Sequence, residues 1–288
     1  MFNRLFLVLL LLLALASCSR QEAVHPGLWF VEGPKGEQAW LFGTIHALPK
    51  PVDWRSAKVD AALHAADLLV LEVADIEDDA KTARAFAGMA QSPGLPPIEQ
   101  RLPPDLRDEL QASMKQGGMK AGALDRFETW AAALMLQNAA SAARKSDSGN
   151  GIDRAVAKAW SGPVEEFEGA AAQLAIFDRL AEREQRALLT AVLADEPNRP
   201  AQLHELQKAW GRGDMDLIAR VTEEDFGTEP ALREALLLGR NQAWVTKLEA
   251  LLARGTKPFV AVGAAHLAGQ DGLPAMLAAR GWKVTRLQ

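Results

Sequence analysis

Apolar and polar positions along this chain follow two patterns. Short unbroken apolar runs stand near both ends, and long Ala- and Leu-rich stretches with helical spacing fill the middle. Residues 39–46 read Ala-Trp-Leu-Phe-Gly-Thr-Ile-His, and residues 259–266 read Phe-Val-Ala-Val-Gly-Ala-Ala-His. Each apolar run reads as a buried strand. The glycine that follows lets the backbone turn sharply as it leaves the sheet. Residues 68–73, Leu-Leu-Val-Leu-Glu-Val, predict a further buried strand, and Asp53 is placed to cap a helix running to about Ala66. Residues 39–73 thus predict a strand–helix–strand unit. Residues 258–287 predict a second, with Trp282 to Leu287 as its last strand. Such crossovers make parallel pairs. Leu28 to Val31 supplies a hairpin partner for the first unit through Glu-Gly-Pro-Lys-Gly-Glu.

Between the two units the pattern predicts helices near 77–90, 104–116, 124–145, 151–160, 170–193, 200–210, 213–223 and 230–253. One strand, Val164 to Glu168, interrupts them between Gly162-Pro163 and Gly169. The expected fold is α/β. A small, mostly parallel central sheet carries the site at its strand C-terminal ends, and large helical insertions pack over it. Open α/β sheets place ligands at that edge.

The start of the chain has a different character. Arg4 precedes an unbroken apolar run from Leu5 to Ala16, too short to span a bilayer as a helix and of signal-peptide size. Leu15-Ala16-Ser17 then leads into Cys18, in the manner of a bacterial lipobox. The expected organisation is a lipoprotein signal peptide at 1–17, a lipidated polar tether at 18–26 and one domain at 27–288. An ordinary secretory signal with an incidental cysteine is the alternative. Cys18 is the sole cysteine, so no disulfide forms within the chain. Ser19 in place of Asp leans the sorting towards the outer membrane, with the domain facing the periplasm. The formal net charge of −5 becomes −6 once Arg4 is removed with the signal, which argues against nucleic acid as a partner.

Candidate chemistry gathers at the strand ends. His46 and His266 close the two Gly-x-x-His turns. Glu72 ends a run otherwise wholly apolar, where a carboxylate is costly unless paired, protonated or bound to a metal. Glu168 ends a more acidic strand beside Glu165 and Glu166. Two histidines and a carboxylate suit a divalent transition metal, with mixed N/O ligation that does not choose between Mn, Co and Zn. A second carboxylate such as Glu168 then acts as base. Without a metal, the same groups can do general acid–base work directly. Arg240 and Asn241 interrupt the apolar stripes of the helix near 230–253. A partly buried arginine needs an anionic partner, either Glu72, Glu168 or a substrate oxyanion. A rim arginine whose stem covers apolar surface is the other reading. His25, His64 and His204 read as solvated or structural.

These blocks resemble the TraB/GumN family from about Leu28 to the C-terminus. Leu-Phe-Gly-Thr-Ile-His-Ala-Leu-Pro at 41–49, Leu-Val-Leu-Glu at 69–72, Arg240-Asn241 and the segment 261–269 carry the likeness most closely. Gly151-Ile-Asp153 and the segment from Pro163 to Gln173 match more loosely, with Gly169 where the family pattern has threonine. The resemblance implies a core related to erythromycin-esterase-like and ChaN-like proteins. By analogy with the animal Tiki relatives, it also implies metal-dependent peptide hydrolysis with His46, Glu72 and His266 at the metal. Glu168, Arg240 and Asn241 are then the expected catalytic residues, Cys18 the lipidation site, and a peptide or protein of the cell envelope the expected substrate. A non-catalytic envelope protein that binds a peptide or metal-bearing ligand in the same cleft is the alternative, and an assembly factor with a structural His–Glu site is a third.

Overall fold

A computed structural model describes residues 21–75, 78–194, 199–227 and 229–288. The signal segment and Cys18 lie outside the described residues. Six strands form one sheet: β1 (Leu28–Glu32), β2 (Gln38–Thr44), β3 (Leu68–Leu71), β4 (Val164–Glu166), β5 (Pro258–Gly263) and β6 (Lys283–Arg286), in the order β4-β3-β5-β2-β1-β6. β4, β3, β5 and β2 are mutually parallel, while β1 runs antiparallel to both β2 and β6. The fold is therefore α/β with a mixed, mostly parallel sheet. β3 and β5 are buried at every position, which is why their sequences are continuous apolar runs rather than alternating ones.

Strand adjacency differs from the expected units. β2 and β3 are parallel, but β5, from the far end of the chain, lies between them. β5 and β6 are likewise separated by β2 and β1. A central strand must be apolar on both faces, and β5 meets that demand along its whole length. This insertion sets the two Gly-x-x-His turns side by side, with Gly43 opposite Val262 and Thr44 opposite Gly263. Neither Gly43 nor Gly263 has a positive φ, so the turns do not need glycine for a left-handed backbone. Space is the reason instead. A Cβ on Gly43 would stand 3.3 Å from the Ala264 Cβ, and one on Gly263 would stand 3.3 Å from Glu72 Oε1.

Helices run α1 (Ala57–Ala65), α2 (Asp79–Met89), α3 (Arg107–Gln116), α4 (Thr129–Ala143), α5 (Ile152–Ala159), α6 (Ala170–Asp178) and α7 (Glu182–Ala194). They continue with α8 (Arg199–Gly211), α9 (Met215–Phe226), α10 (Pro230–Arg233), α11 (Gly239–Ala253) and α12 (Leu273–Ala279). The expected boundaries shift where side chains claim the backbone. Ser56, not Asp53, caps α1 by accepting from the Val59 N–H. Asp53 instead bridges to Ala23, so that residues 22–24 lie against the domain and Val24 is buried. α4 begins at Thr129 because the buried Arg101 guanidinium takes the carbonyls of Asp125 and Phe127. The single helix expected over 170–193 breaks after Asp178. There Gln185 accepts from the Trp130 N–H and donates to the Leu180 carbonyl, stitching the break to α4.

The hydrophobic core divides accordingly. One cluster joins the sheet to Trp244, Val245, Leu248 and Leu251 of α11 and to Trp210 of α8. A second joins Ile98, Leu110 and Leu136, which precede β4, to Leu189 and Leu193, which follow it. The two helical insertions thus share a core with each other. Among the described residues no helix is long and apolar enough to cross a membrane.

Candidate functional site

The register brings His46, Glu72, Glu168 and His266 to one sheet edge, and α11 adds Arg240 and Asn241. A π-helical turn, Glu234–Leu238, precedes Gly239 and feeds α11. Such turns rotate the residues that follow and recur at functional sites. Here the residues that follow are Arg240 and Asn241.

His266 is 7% exposed, and its ring centre lies 4.4 Å from that of Trp244. Its Nδ1 is 2.6 Å from Asn241 Oδ1, and Asn241 Nδ2 donates to the Asp271 carbonyl at 2.7 Å. That second bond fixes the amide orientation, so Oδ1 is the acceptor and His266 carries its proton on Nδ1. Nε2 is left with its lone pair and accepts from Arg240 Nη1 at 3.2 Å. Burial is the largest cause depressing this imidazole, and Arg240 adds to it, so that its pKa falls to about 3. His266 is neutral at ordinary pH.

His46 has the opposite surroundings. Its side chain is 67% exposed and its Nδ1 lies 2.8 Å from Asp153 Oδ2. The Asp153 carboxylate is the largest cause raising this imidazole, to about 10. Solvent reaches the ring and screens the pair, which limits the size of the rise. Asp153 is itself buried at the start of α5 and also accepts from the Thr44 hydroxyl. Gly151, just before α5, lets the two segments meet, because a Cβ there would stand 2.3 Å from the His46 carbonyl oxygen.

Glu72 is 7% exposed. Oε1 accepts from the Gly263 N–H at 2.9 Å, and Oε2 accepts from Arg240 Nη2 at 2.7 Å and Gln173 Nε2 at 3.1 Å. Burial alone would raise its pKa. His266, His46 and Arg240, with the Gly263 N–H, outweigh burial and hold it at about 2. Of these groups Arg240 bonds Glu72 directly and stays charged at every ordinary pH.

Arg240 is the hub. Besides Glu72 and His266 it donates to both Glu168 oxygens, from Nε at 2.9 and 3.2 Å and from Nη2 at 2.9 Å. Its guanidinium carbon lies 4.7 Å from the centre of the Trp244 ring, and Trp244 Nε1 donates to Glu168 at 3.0 Å. Burial works against the charge, but the Glu168 and Glu72 carboxylates outweigh it and raise the Arg240 pKa. Glu168 is thus committed as the anchor of Arg240 and Trp244, with little lone-pair capacity left for a general base. Asn241 is fully buried and acts through His266, as a positioning residue.

A cleft of about 290 Å3 opens on this cluster, lined by His46, Glu72, Asp153, Arg154 and Gln173 among others. His25, His64 and His204 are exposed and none of them lines it. Sequence reasoning passed over Asp153 and Gln173 as site residues. An acidic residue in the first turn of an amphipathic helix, just after a glycine, was the available signal for Asp153.

The donor chemistry suits a divalent ion in part. Both histidines hold an Nδ1 proton against a fixed acceptor and turn Nε2 away from it, the usual support for a metal-bound imidazole. Beside Gly263, a point at Cβ distance lies 3.3 Å from Glu72 Oε1, 3.5 Å from His46 Nε2 and 3.8 Å from His266 Cδ2. Yet among the described residues no three His, Cys, Asp or Glu side chains stand close enough together to hold a metal ion. The Arg240 guanidinium already engages His266 Nε2 and Glu72 Oε2.

The model of the TraB/PrgY/gumN family matches residues 27–286. The chain belongs to that family. It is 26% identical over 247 residues to the uncharacterised protein YbaP of Shigella flexneri, covering 85% of this chain and 89% of the relative. The same figures hold for YbaP of Escherichia coli (strain K12). No solved structure matches the chain.

Proposed function

We propose that this family member is a peptidase-like, metal-dependent hydrolase held at the cell envelope by a lipid on Cys18. The observation that carries the reading is the convergence of His46 Nε2, Glu72 Oε1 and the His266 ring beside Gly263, with each imidazole oriented through Nδ1. His46, Glu72 and His266 would hold the ion once Arg240 withdraws towards Glu168, to which it is already bonded through both Nε and Nη2. A divalent metal there supplies a water of lowered pKa and a polarised carbonyl. Asp153 and Asn241 hold the imidazoles in register. Arg240, on the released side, faces the developing negative charge of the substrate oxygen, where a fixed donor acts most strongly. Glu168 positions Arg240.

The chain enters the domain at the same edge, because Leu28 pairs with Phe42 and the Gly43 N–H donates to the Gly27 carbonyl. Three residues from Cys18 to Gln21 span at most about 10 Å. An anchor at Cys18 therefore keeps the cleft close to the membrane surface and favours substrates presented there.

The test is metal titration of metal-free protein by calorimetry with Mn²⁺, Co²⁺ and Zn²⁺, joined to turnover of a peptide library. His46→Ala and His266→Ala should each lower affinity by tenfold or more, with His64→Ala unchanged. Glu72→Gln should lose metal and turnover together, and Glu168→Gln should keep metal while turning over slowly. Equal affinity in all of these variants would overturn the metal centre. The second reading, a binding protein without turnover, is favoured by one observation, the lodging of Arg240 between Glu72 and His266. Ligand binding that survives Glu72→Gln, with no peptide cleaved by the wild type, selects it. Fatty-acid labelling that persists in Cys18→Ser would overturn the anchor.

A further inference from the structure

Arg154 lines the cleft and has no part in the chemistry above. It follows Asp153 on α5, so the same turn of helix that orients His46 also presents a guanidinium to the cleft. Its side chain is 18% exposed, and its one ion-pair partner among the described residues is Asp79, joined through a single contact, Nη2 to Oδ1, at 2.8 Å. Asp79 is 85% exposed. A one-point pair with a solvated carboxylate is worth little. A guanidinium offers five donors in a fork that matches a carboxylate at two points. The nearest carboxylates are already engaged, Glu72 by Arg240, Gln173 and the Gly263 N–H, and Asp153 by His46 and Thr44, so Arg154 is the guanidinium in the cleft lining with donors to spare. Ser148, Thr82 and Gln173 line the same space and supply neutral hydrogen-bonding groups around it.

We infer that Arg154 is a specificity residue that takes a substrate carboxylate, with Asp79 as the exchangeable partner that this carboxylate displaces. The inference rests on the reading of the cleft as a peptide site. The carboxylate is either the C-terminus of the peptide or an acidic side chain beside the bond held over His46 and Glu72.

The experiment is calorimetric binding of paired peptides to the full domain. One set differs only in a free C-terminal carboxylate against a carboxamide, and a second only in Glu against Gln at one internal position. The carboxylate member of one set should bind about tenfold tighter to the wild type, and which set responds identifies the source. Arg154→Gln should abolish the preference, Arg154→Lys should keep a weakened form of it, and Asp79→Asn should enlarge it severalfold by freeing the guanidinium. Where peptides are cleaved, the effect should fall on KM rather than kcat. Binding of both members without preference, or a preference unchanged in Arg154→Gln, overturns the role of Arg154 and leaves the peptide site standing. No binding of either member overturns both.

Discussion

His46 and His266 each stand three residues after a glycine at the C-terminal end of a parallel strand, and those strands are direct neighbours. Their surroundings are nevertheless opposite. His266 lies under Trp244 with a neutral amide on Nδ1, while His46 lies in the cleft mouth with a carboxylate on Nδ1. The same tetrapeptide pattern therefore delivers one imidazole held neutral by burial and one drawn towards protonation by a buried anion. The motif sets where the ring emerges. The residue that meets Nδ1, contributed by a distant helix, sets its charge. For His46 to hold a metal it would have to release the Nε2 proton that its carboxylate partner favours, whereas His266 already presents a free Nε2 lone pair.

The comparison breaks most severely at Arg240, which touches the His266 side and not the His46 side. Arg240→Ala leaves two carboxylates buried without their cation, and such a loss costs about 3–5 kcal/mol. Denaturant unfolding should show that drop, and an NMR titration should show His266 rising from its depressed value while His46 changes less.

Acidification tests the same difference through linkage. The His266 pKa is lowered in the fold, so the unfolded chain takes up a proton that the native one refuses. Stability attributable to it is complete above about 6.5 and is lost as pH falls towards 3. One such proton gives a slope of about 1.4 kcal/mol per pH unit. Glu72, lowered to about 2, acts in the same direction below its ordinary value of 4.5 and steepens the loss there. In metal-free protein, a stability profile flat from pH 7 to 4 would contradict the burial of His266, and one flat from pH 4 to 2 that of Glu72.

A swap of the Nδ1 partners sharpens the contrast. Asp153→Asn removes the anion that is the largest cause of the rise at His46 and should bring its pKa down towards the ordinary imidazole value. Asn241→Asp gives His266 a carboxylate and should raise its pKa by about 1–3 units, since that site excludes water. Ring-proton NMR titration reads both, and an unmoved His46 in Asp153→Asn would sever the link between partner and charge.

The smallest effects belong to histidines outside the pair. His64 is exposed on α1, bonded to the Asp60 carbonyl of its own helix, and His204 is exposed on α8. Each change to Ala should shift stability by less than about 0.5 kcal/mol and leave metal affinity unaltered.

Much of the site was legible before any fold was drawn. Gly-x-x-His after an apolar run marks a strand end from local pattern alone, and Glu72 stands out because nothing beside it in sequence is polar. Arg240 and Asn241 stand out because they interrupt apolar stripes that a helix of that length must bury. These are short-range signals, set by backbone period and by the cost of burying charge, and they survive in a single sequence. Partner identity does not. Asp153 reaches His46 across 107 positions, Gln173 reaches Glu72 across 101, and Arg240 reaches Glu72 across 168. Such pairings follow from sheet register, from β5 entering between β2 and β3, and from the π turn that aims Arg240. The sequence by itself thus determined which groups lie at the sheet edge. Only the tertiary structure decided that Glu168 serves Arg240 and Asn241 serves His266, and that one histidine is neutral while its twin is drawn towards charge. Protonation depends on burial and on charges within a few ångströms, and those distances exist only once the chain has packed.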